Sequence, residues 1–392
     1  MNAAPSAPAQ PAPAQRPFGL QVLEDLPEPA GANVLLRATL DLPLSADASL
    51  PLARVRAVGL ATTVRWLVEH GAKVTVWGSP SGARSTDGGR RRVRLSRVRA
   101  VLDDLEPTLD GNPAVRVLSC DERTDAVARV VAGHDLFVND TLQDSLLPLP
   151  SVTLPPTRLP SAAGRTLQGD LEVLQPLVTG PDRPFVAVLG GERTFMRLHG
   201  LQGLVLRADA VLLGSGLALA MLQALGRQPT EGGDDDFLWE CRQVLGLSQR
   251  VRHRLVVPED LVWSNGRSTR IAATRPRAGD EVVDIGPATR LRFGEELRGA
   301  GSVLWAGSVG KVEREPFRAG TRALAEALSD KRSVVLGGDA LVDLLVREGS
   351  KPRASEVLSA TDSAIELLKN GDLPALCAIR DAARAVAPSQ AP

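Results

Sequence analysis

The chain has 392 residues, 43% hydrophobic and 23% charged, a balance that excludes a disordered chain and leaves room for two domains. Its 46 basic and 46 acidic side chains cancel, which removes any bulk pull toward nucleic acid or a membrane surface. Cys120, Cys241 and Cys377 are odd in number and far apart, so neither a disulfide framework nor a zinc site is expected, and a reduced, cytoplasmic setting is.

Residues 1–17 open with MNAAPSAPAQPAPAQR, a Pro/Ala tail without the layout of a signal peptide, and APSQAP closes the chain in the same way. No apolar run is long enough to span a membrane. Val34 to Arg37 reads as a strand, followed by the turn DLPL. Arg56 to His70 carries apolar residues at helical spacing and stops at Gly71. Lys73 to Trp77 returns to strand and GSPSG (Gly78 to Gly82) closes it. The run from Arg84 through Arg90, Arg91, Arg92, Arg94, Arg97 and Arg99 is strongly basic, yet no aromatic residue interleaves for base stacking. It reads as a solvated loop and helix start.

Leu136 to Asn139 is the next strand. Leu167, Leu171, Leu174 and Leu177 then fall at three- and four-residue steps, the stripe of an amphipathic helix. A second series of short apolar runs opens at Val186, Val211, Val256, Val303 and Val334. Strands alternating with helical stretches predict a parallel α/β sheet, and two such series predict two domains. EGGDDDFLWE reads as an acidic surface loop. His70, His134, His199 and His253 have no carboxylate or cysteine at ligand spacing, so no metal site is expected on them.

Within the second series, PFVAVLGGERTFMRLHG and ADAVLLGSG each run from a strand into a glycine turn and a helix, a layout that aims backbone N–H groups at an anion. This stretch resembles the nucleotide-domain entry of phosphoglycerate kinases. So do VLLRATLDLPL, RAVGLATTVRWLVEHGAKV, FVNDTLQDS, LPSAAGRTLQGDLEVL, DIGPAT, VLWAGSVGKVEREPFRAGT and VVLGGDA, in the family's order, over about residues 18 to 377. The resemblance implies two Rossmann-like lobes with parallel sheets facing a cleft. Residues 18–172 would form the phosphoglycerate-type lobe and 173–375 the nucleotide-type lobe, with 376–392 returning to the first. It also implies a monomer whose ligand, if any, is Mg-ATP or Mg-ADP, with no tightly bound metal; neither a membrane nor nucleic acid is an expected partner.

Carried over residue by residue, the resemblance gives Arg56 and Arg197 catalytic roles. It gives nucleotide contacts to Gly190, Gly191, Arg193, Gly214, Gly216, Glu313, Gly337, Gly338 and Asp339, with Asp339 also on the metal. Each glycine has a plainer reading as turn scaffold, Asp339 as a helix cap, and Arg56 and Arg197 as surface arginines. The departures fall on the chemistry. Thr39 and Asp41 stand where the family has Asp and Asn, GSPSG has lost a His and an Arg, and Leu147 replaces an Arg. Another family arginine falls on Glu122 or Arg123, and Ala306, Ser308 and Ala340 replace polar or rigid residues. The family's late triple-glycine loop aligns with Ser359 to Ala364, which has no glycine and brings in Asp362. Phosphoglycerate is therefore expected to bind poorly. Three readings follow: an impaired family member with residual Mg-nucleotide binding, a working phosphoglycerate kinase, or a non-enzymatic scaffold or nucleic-acid-associated protein.

Overall fold

Strands β1 (Asn33–Arg37), β2 (Lys73–Gly78), β3 (Val115–Ser119), β4 (Leu136–Asn139) and β5 (Ser161–Ala163) form one parallel sheet in the order β3-β2-β1-β4-β5. The computed structural model describes residues 16–40, 51–78, 95–109, 111–191, 194–227, 235–251, 254–266, 268–272, 279–330, 333–352 and 355–386. Both faces of the sheet are covered, as the unbroken apolar strands require. Helices α1 (Pro51–Glu69) and α2 (Leu95–Leu105) belong to this lobe, with α3 (Thr124–Val131) and the short α4 (Pro150–Thr153). Helix α1 starts five residues before the expected Arg56, with Pro51 at its first position, where a missing N–H costs nothing.

The second lobe holds six parallel strands in the order β14-β13-β12-β6-β7-β8. These are β6 (Phe185–Leu189), β7 (Ala210–Leu213), β8 (Arg254–Val256), β12 (Ser302–Ala306), β13 (Val334–Gly337) and β14 (Ser355–Val357). Strand β8 ends at Val256, where a run was expected to open. A separate antiparallel sheet of β9 (Leu261–Ser264), β10 (Thr269–Ala272) and β11 (Glu281–Ile285) was not legible, because its strands are short and alternate poorly. The helices are α6 (Phe195–Arg207), α7 (Ser215–Ala224), α8 (Asp235–Val251), α9 (Pro287–Gly299), α10 (Ala319–Ala327), α11 (Asp339–Arg347) and α12 (Thr361–Asn370).

Helix α5 (Arg165–Thr179) joins the lobes and runs unbroken through residues 172 and 173. Its stripe Leu167, Leu171, Leu174 and Leu177 is fully or almost fully buried in the largest apolar cluster, which takes in residues of both lobes. The last helix, α13 (Pro374–Val386), packs on α4, β5 and the 3-10 turns Gln143–Leu146 and Pro155–Thr157 of the first lobe. Leu376 and Ile379 are its buried anchors. Helices α6 and α12 approach closely because Gly200 and Gly203 face Ile365 and Lys369; a Cβ on Gly203 would fall 2.4 Å from Lys369 Cβ.

Candidate functional site

Open parallel sheets bind ligands beyond the carboxyl ends of their strands, where strand order reverses. In the first lobe that point lies between β1 and β4, and in the second between β6 and β12.

At the first-lobe crevice the decisive side chain is Arg37, the last residue of β1, only 2% exposed. Its Nη2 lies 3.0 Å from Asp144 Oδ2 and 3.5 Å from Glu122 Oε1. Its Nε donates to Ser151 Oγ at 3.1 Å and its Nη1 to the Ala38 carbonyl at 2.9 Å. Glu122 in turn accepts from the Ser151 amide at 3.1 Å and from its hydroxyl at 2.8 Å. Of the two positions left open in the sequence, Glu122 faces this cluster, while Arg123 is exposed and pairs with Asp121. Buried Arg37 is thus committed to two carboxylates rather than open to an anionic ligand. Burial beside Glu122 pushes the Cys120 thiol up to about 12, so it stays protonated. Thr39 is buried and Leu147 is exposed; Asp41 and Ser79–Gly82 lie outside the described residues. Arg37 carried no signal in the sequence beyond its place at a strand end.

The second-lobe crevice is made of backbone. A Cβ on Gly190 would fall 2.1 Å from the Ser308 carbonyl oxygen, and one on Gly214 would fall 2.8 Å from Val309 Cα. Gly338 has φ +107 and rests against Gly307, itself at φ +85. Gly337 backs onto Thr361, whose Oγ1 would be 2.6 Å from an added Cβ. These glycines are held by mutual packing of strand ends. Gly191, at φ +86, faces open space, and Gly216 lies in the first turn of α7. Helices α7, α11 and α12 start just after Gly214, Gly338 and Ala360, with no side-chain cap on their first amides. Glu313 is exposed on the loop after β12; Arg193 lies outside the described residues.

The two arginines expected to act on a phosphoryl group both have internal partners. Arg56, on α1 and 8% exposed, spans the cleft. It meets Asp339 with both terminal nitrogens, Nη2 to Oδ1 at 2.9 Å and Nη1 to Oδ2 at 3.3 Å. It also donates Nε and Nη2 to the Ser359 carbonyl at 2.9 and 2.6 Å. Arg197, in the first turn of α6, lies 3.0 Å from Asp362 through Nε. Asp362 Oδ1 makes no hydrogen bond at that distance, so the attraction is coulombic. Asp170 of α5, which the sequence did not single out, accepts the Ser359 amide at 2.8 Å and the Ser359 hydroxyl. Burial pushes its carboxyl up to about 6. Among the described residues no group of three or more His, Cys, Asp or Glu gathers that could hold a metal ion.

A family model described as phosphoglycerate kinase matches residues 108–370. The chain belongs to the phosphoglycerate kinase family. It is 30% identical to the phosphoglycerate kinase of Frankia casuarinae over 92% of this chain and 100% of that one. To that of Chloroflexus aggregans it is 28% identical, over 90% and 97%. Among solved structures, the phosphoglycerate kinase of Pyrococcus horikoshii superposes with TM-score 0.76 at 20% identity, covering 93% of this chain and 100% of that one. That of Coxiella burnetii gives 0.70 at 21%, covering 92% and 99%. The family's two-lobed α/β architecture is the one seen here. Among the described residues no helix is long and apolar enough to cross a membrane.

Proposed function

We propose that this family member has lost most phosphoryl transfer and keeps a Mg-nucleotide site on its second lobe. The observation that carries the reading is Arg56, whose guanidinium is used up by Asp339 and the Ser359 carbonyl. Phosphoryl transfer depends on positioning and on positive charge free to meet the moving group. Here Arg56 is neutralised from across the cleft, and Asp362 sets a carboxylate beside Arg197 at the start of α12. That start is where the resemblance places the family's triple glycine, replaced by Ala360, Thr361 and Asp362. Loss of one preorganised donor at developing charge costs about a hundred- to a thousandfold in rate.

The nucleotide half of the proposal rests on the uncapped starts of α7 and α11, whose amides fit a phosphate chain. Asp339, 61% exposed, is available to a metal once Arg56 lets go. Mg-nucleotide, when bound, would supply the phosphoryl donor or acceptor. Residues Gly190, Gly191, Gly214 and Gly216 would keep the phosphates close to backbone, with Arg197 beside them. Phosphoglycerate would find little at the first lobe, where Arg37 is already paired.

Coupled turnover of 3-phosphoglycerate and ATP by the purified protein tests the first half. The expected rate is at least about a hundredfold below that of its relatives; robust turnover abolished by Arg56→Ala would install the second reading. That reading, a working phosphoglycerate kinase, is favoured by relatives of that name aligning along almost the whole chain. A thermal shift with Mg-ADP tests the second half: the melting temperature should rise, since a ligand preferring the native state stabilises it, and Asp339→Asn should remove the rise.

A further inference from the structure

We infer that Asp284 is a positioning residue for the second-lobe crevice, because it seats loop residues 308–310, against which the glycine turns at Gly190 and Gly214 are packed. The ligand, a Mg-nucleotide, rests on the proposed function; the seating of the loop stands apart from it. The contacts start in the antiparallel sheet. Strand β11 carries an extra residue, Val283, between the partners of Trp263 and Val262 on β9, and such a bulge re-aims the side chains beside it. Asp284 follows directly and is fully buried. Its Oδ1 accepts the Ile285 amide, and its Oδ2 the Gly320 amide in the first turn of α10, each at 2.8 Å. Arg290 of α9 meets the same carboxylate through Nη2 at 3.4 Å and donates Nε to the Ile285 carbonyl at 3.1 Å.

The loop after β12 is pressed onto this carboxylate. A Cβ on Gly310 would fall 2.5 Å from Asp284 Oδ1, and one on Gly320 would fall 2.2 Å from the same oxygen. The Val283 carbonyl, in the bulge, accepts the Lys311 amide at 2.8 Å, and Val283 packs with Phe317 farther along the loop. The crevice lies against the neighbouring residues of the same loop. The Ser308 carbonyl accepts the Gly191 amide at 2.9 Å and is the group a Cβ on Gly190 would strike. Val309 Cα would stand 2.8 Å from a Cβ on Gly214. Three consecutive residues thus link both glycine turns to Asp284, largely through main-chain contacts. Close-packed interiors pass on a displacement instead of absorbing it. A buried carboxylate is costly unless hydrogen-bonded and paired. The bonds of Asp284 run to α9, to α10 and to its own turn, so removing it unseats the loop from that side.

Asp284→Ala and the milder Asp284→Asn test this in the full chain, each measured well below its own melting temperature so that only folded protein is read. Amide hydrogen exchange without nucleotide is the first arm. In Asp284→Ala the Gly191 amide, bonded to the Ser308 carbonyl, should exchange about tenfold faster. The Gly214 amide, bonded to the Leu189 carbonyl, should keep its rate. Asp284→Asn retains one acceptor but turns an N–H against the second amide, so it should move Gly191 the same way by less. If Asp284→Ala does not fold, the Asn variant decides. Calorimetric titration with Mg-ADP is the second arm, and Kd should rise about tenfold in Asp284→Ala. A role confined to stability would lower the melting temperature and leave Gly191 exchange and Kd at wild-type values, and that result would overturn the proposal. Wild-type protein that binds no Mg-ADP would sink the nucleotide reading alone, because the exchange arm needs no ligand.

Discussion

The two crevices of this molecule have aged differently. The first is built from side chains, and its central charge, Arg37, is bound to Glu122 and Asp144. The second is built from backbone, and its glycines are packed so that a Cβ on Gly190 or Gly214 would overlap main-chain atoms. A site made of side chains can change its chemistry without disturbing the fold. A site made of packed main chain cannot, because each glycine also closes the junction of two strand ends. The second lobe therefore keeps its outline whether or not it binds a ligand.

The sharpest way to break this comparison is Arg37→Ala. Removing the buried guanidinium takes its charge away from Glu122, which keeps its Ser151 donors, and from Asp144, and should cost the first lobe about 1.5–3 kcal/mol. Chemical denaturation checks it, and Arg37→Met, which keeps most of the volume but not the charge, should cost nearly as much if the loss is electrostatic rather than steric. Gly190→Ala probes the other crevice. Its methyl would meet the Ser308 carbonyl 2.1 Å away, so a loss of about 1–3 kcal/mol from overpacking is expected. A neutral Gly190→Ala would mean that packing does not explain why this glycine is present.

A double-mutant cycle on Arg56 and Asp339 sharpens the contrast at the cleft itself. Because Asp339 is largely exposed, solvent screening limits the coupling to about 1 kcal/mol. A coupling of zero would leave the Ser359 carbonyl as the real partner of Arg56.

A further effect is a pH dependence that both lobes share. Asp140 in the first lobe, pushed up to about 7, and Asp170 and Asp284, each pushed up to about 6, owe their shifts to burial. Since the folded state raises these values above the ordinary carboxylate, it binds protons that the unfolded chain has released. Their contribution to stability is complete below the ordinary value and is lost as pH rises through 6 to 7. Calorimetry should therefore find a higher melting temperature at pH 5.5 than at pH 8. Asp140→Asn, which keeps an acceptor for the Thr166 amide that Oδ1 binds at 2.8 Å, should flatten part of that slope. A melting temperature rising with pH would contradict the burial account.

Local rules were enough for much of this protein. The strands at Val34, Lys73, Leu136 and Val186, the leucine stripe of α5 and the glycine turns after β6, β7 and β13 are all written in short-range patterns, because burial on both faces forces continuous apolar runs and tight turns demand glycine. Arg56, Arg197, Asp339 and Asp362, which meet in ion pairs, were singled out in the sequence too. Their pairing was not. Arg56 meets a carbonyl 303 residues away and an Asp 283 away, and Asp170 meets Ser359 across 189. Nor could periodicity reveal that Arg37, a single charge ending an apolar strand, would be buried against Glu122 and Asp144. Whether an arginine is free to meet a ligand depends on which carboxylates the tertiary fold sets beside it, and distances of a few ångströms between remote segments leave no trace in the order of residues along the chain.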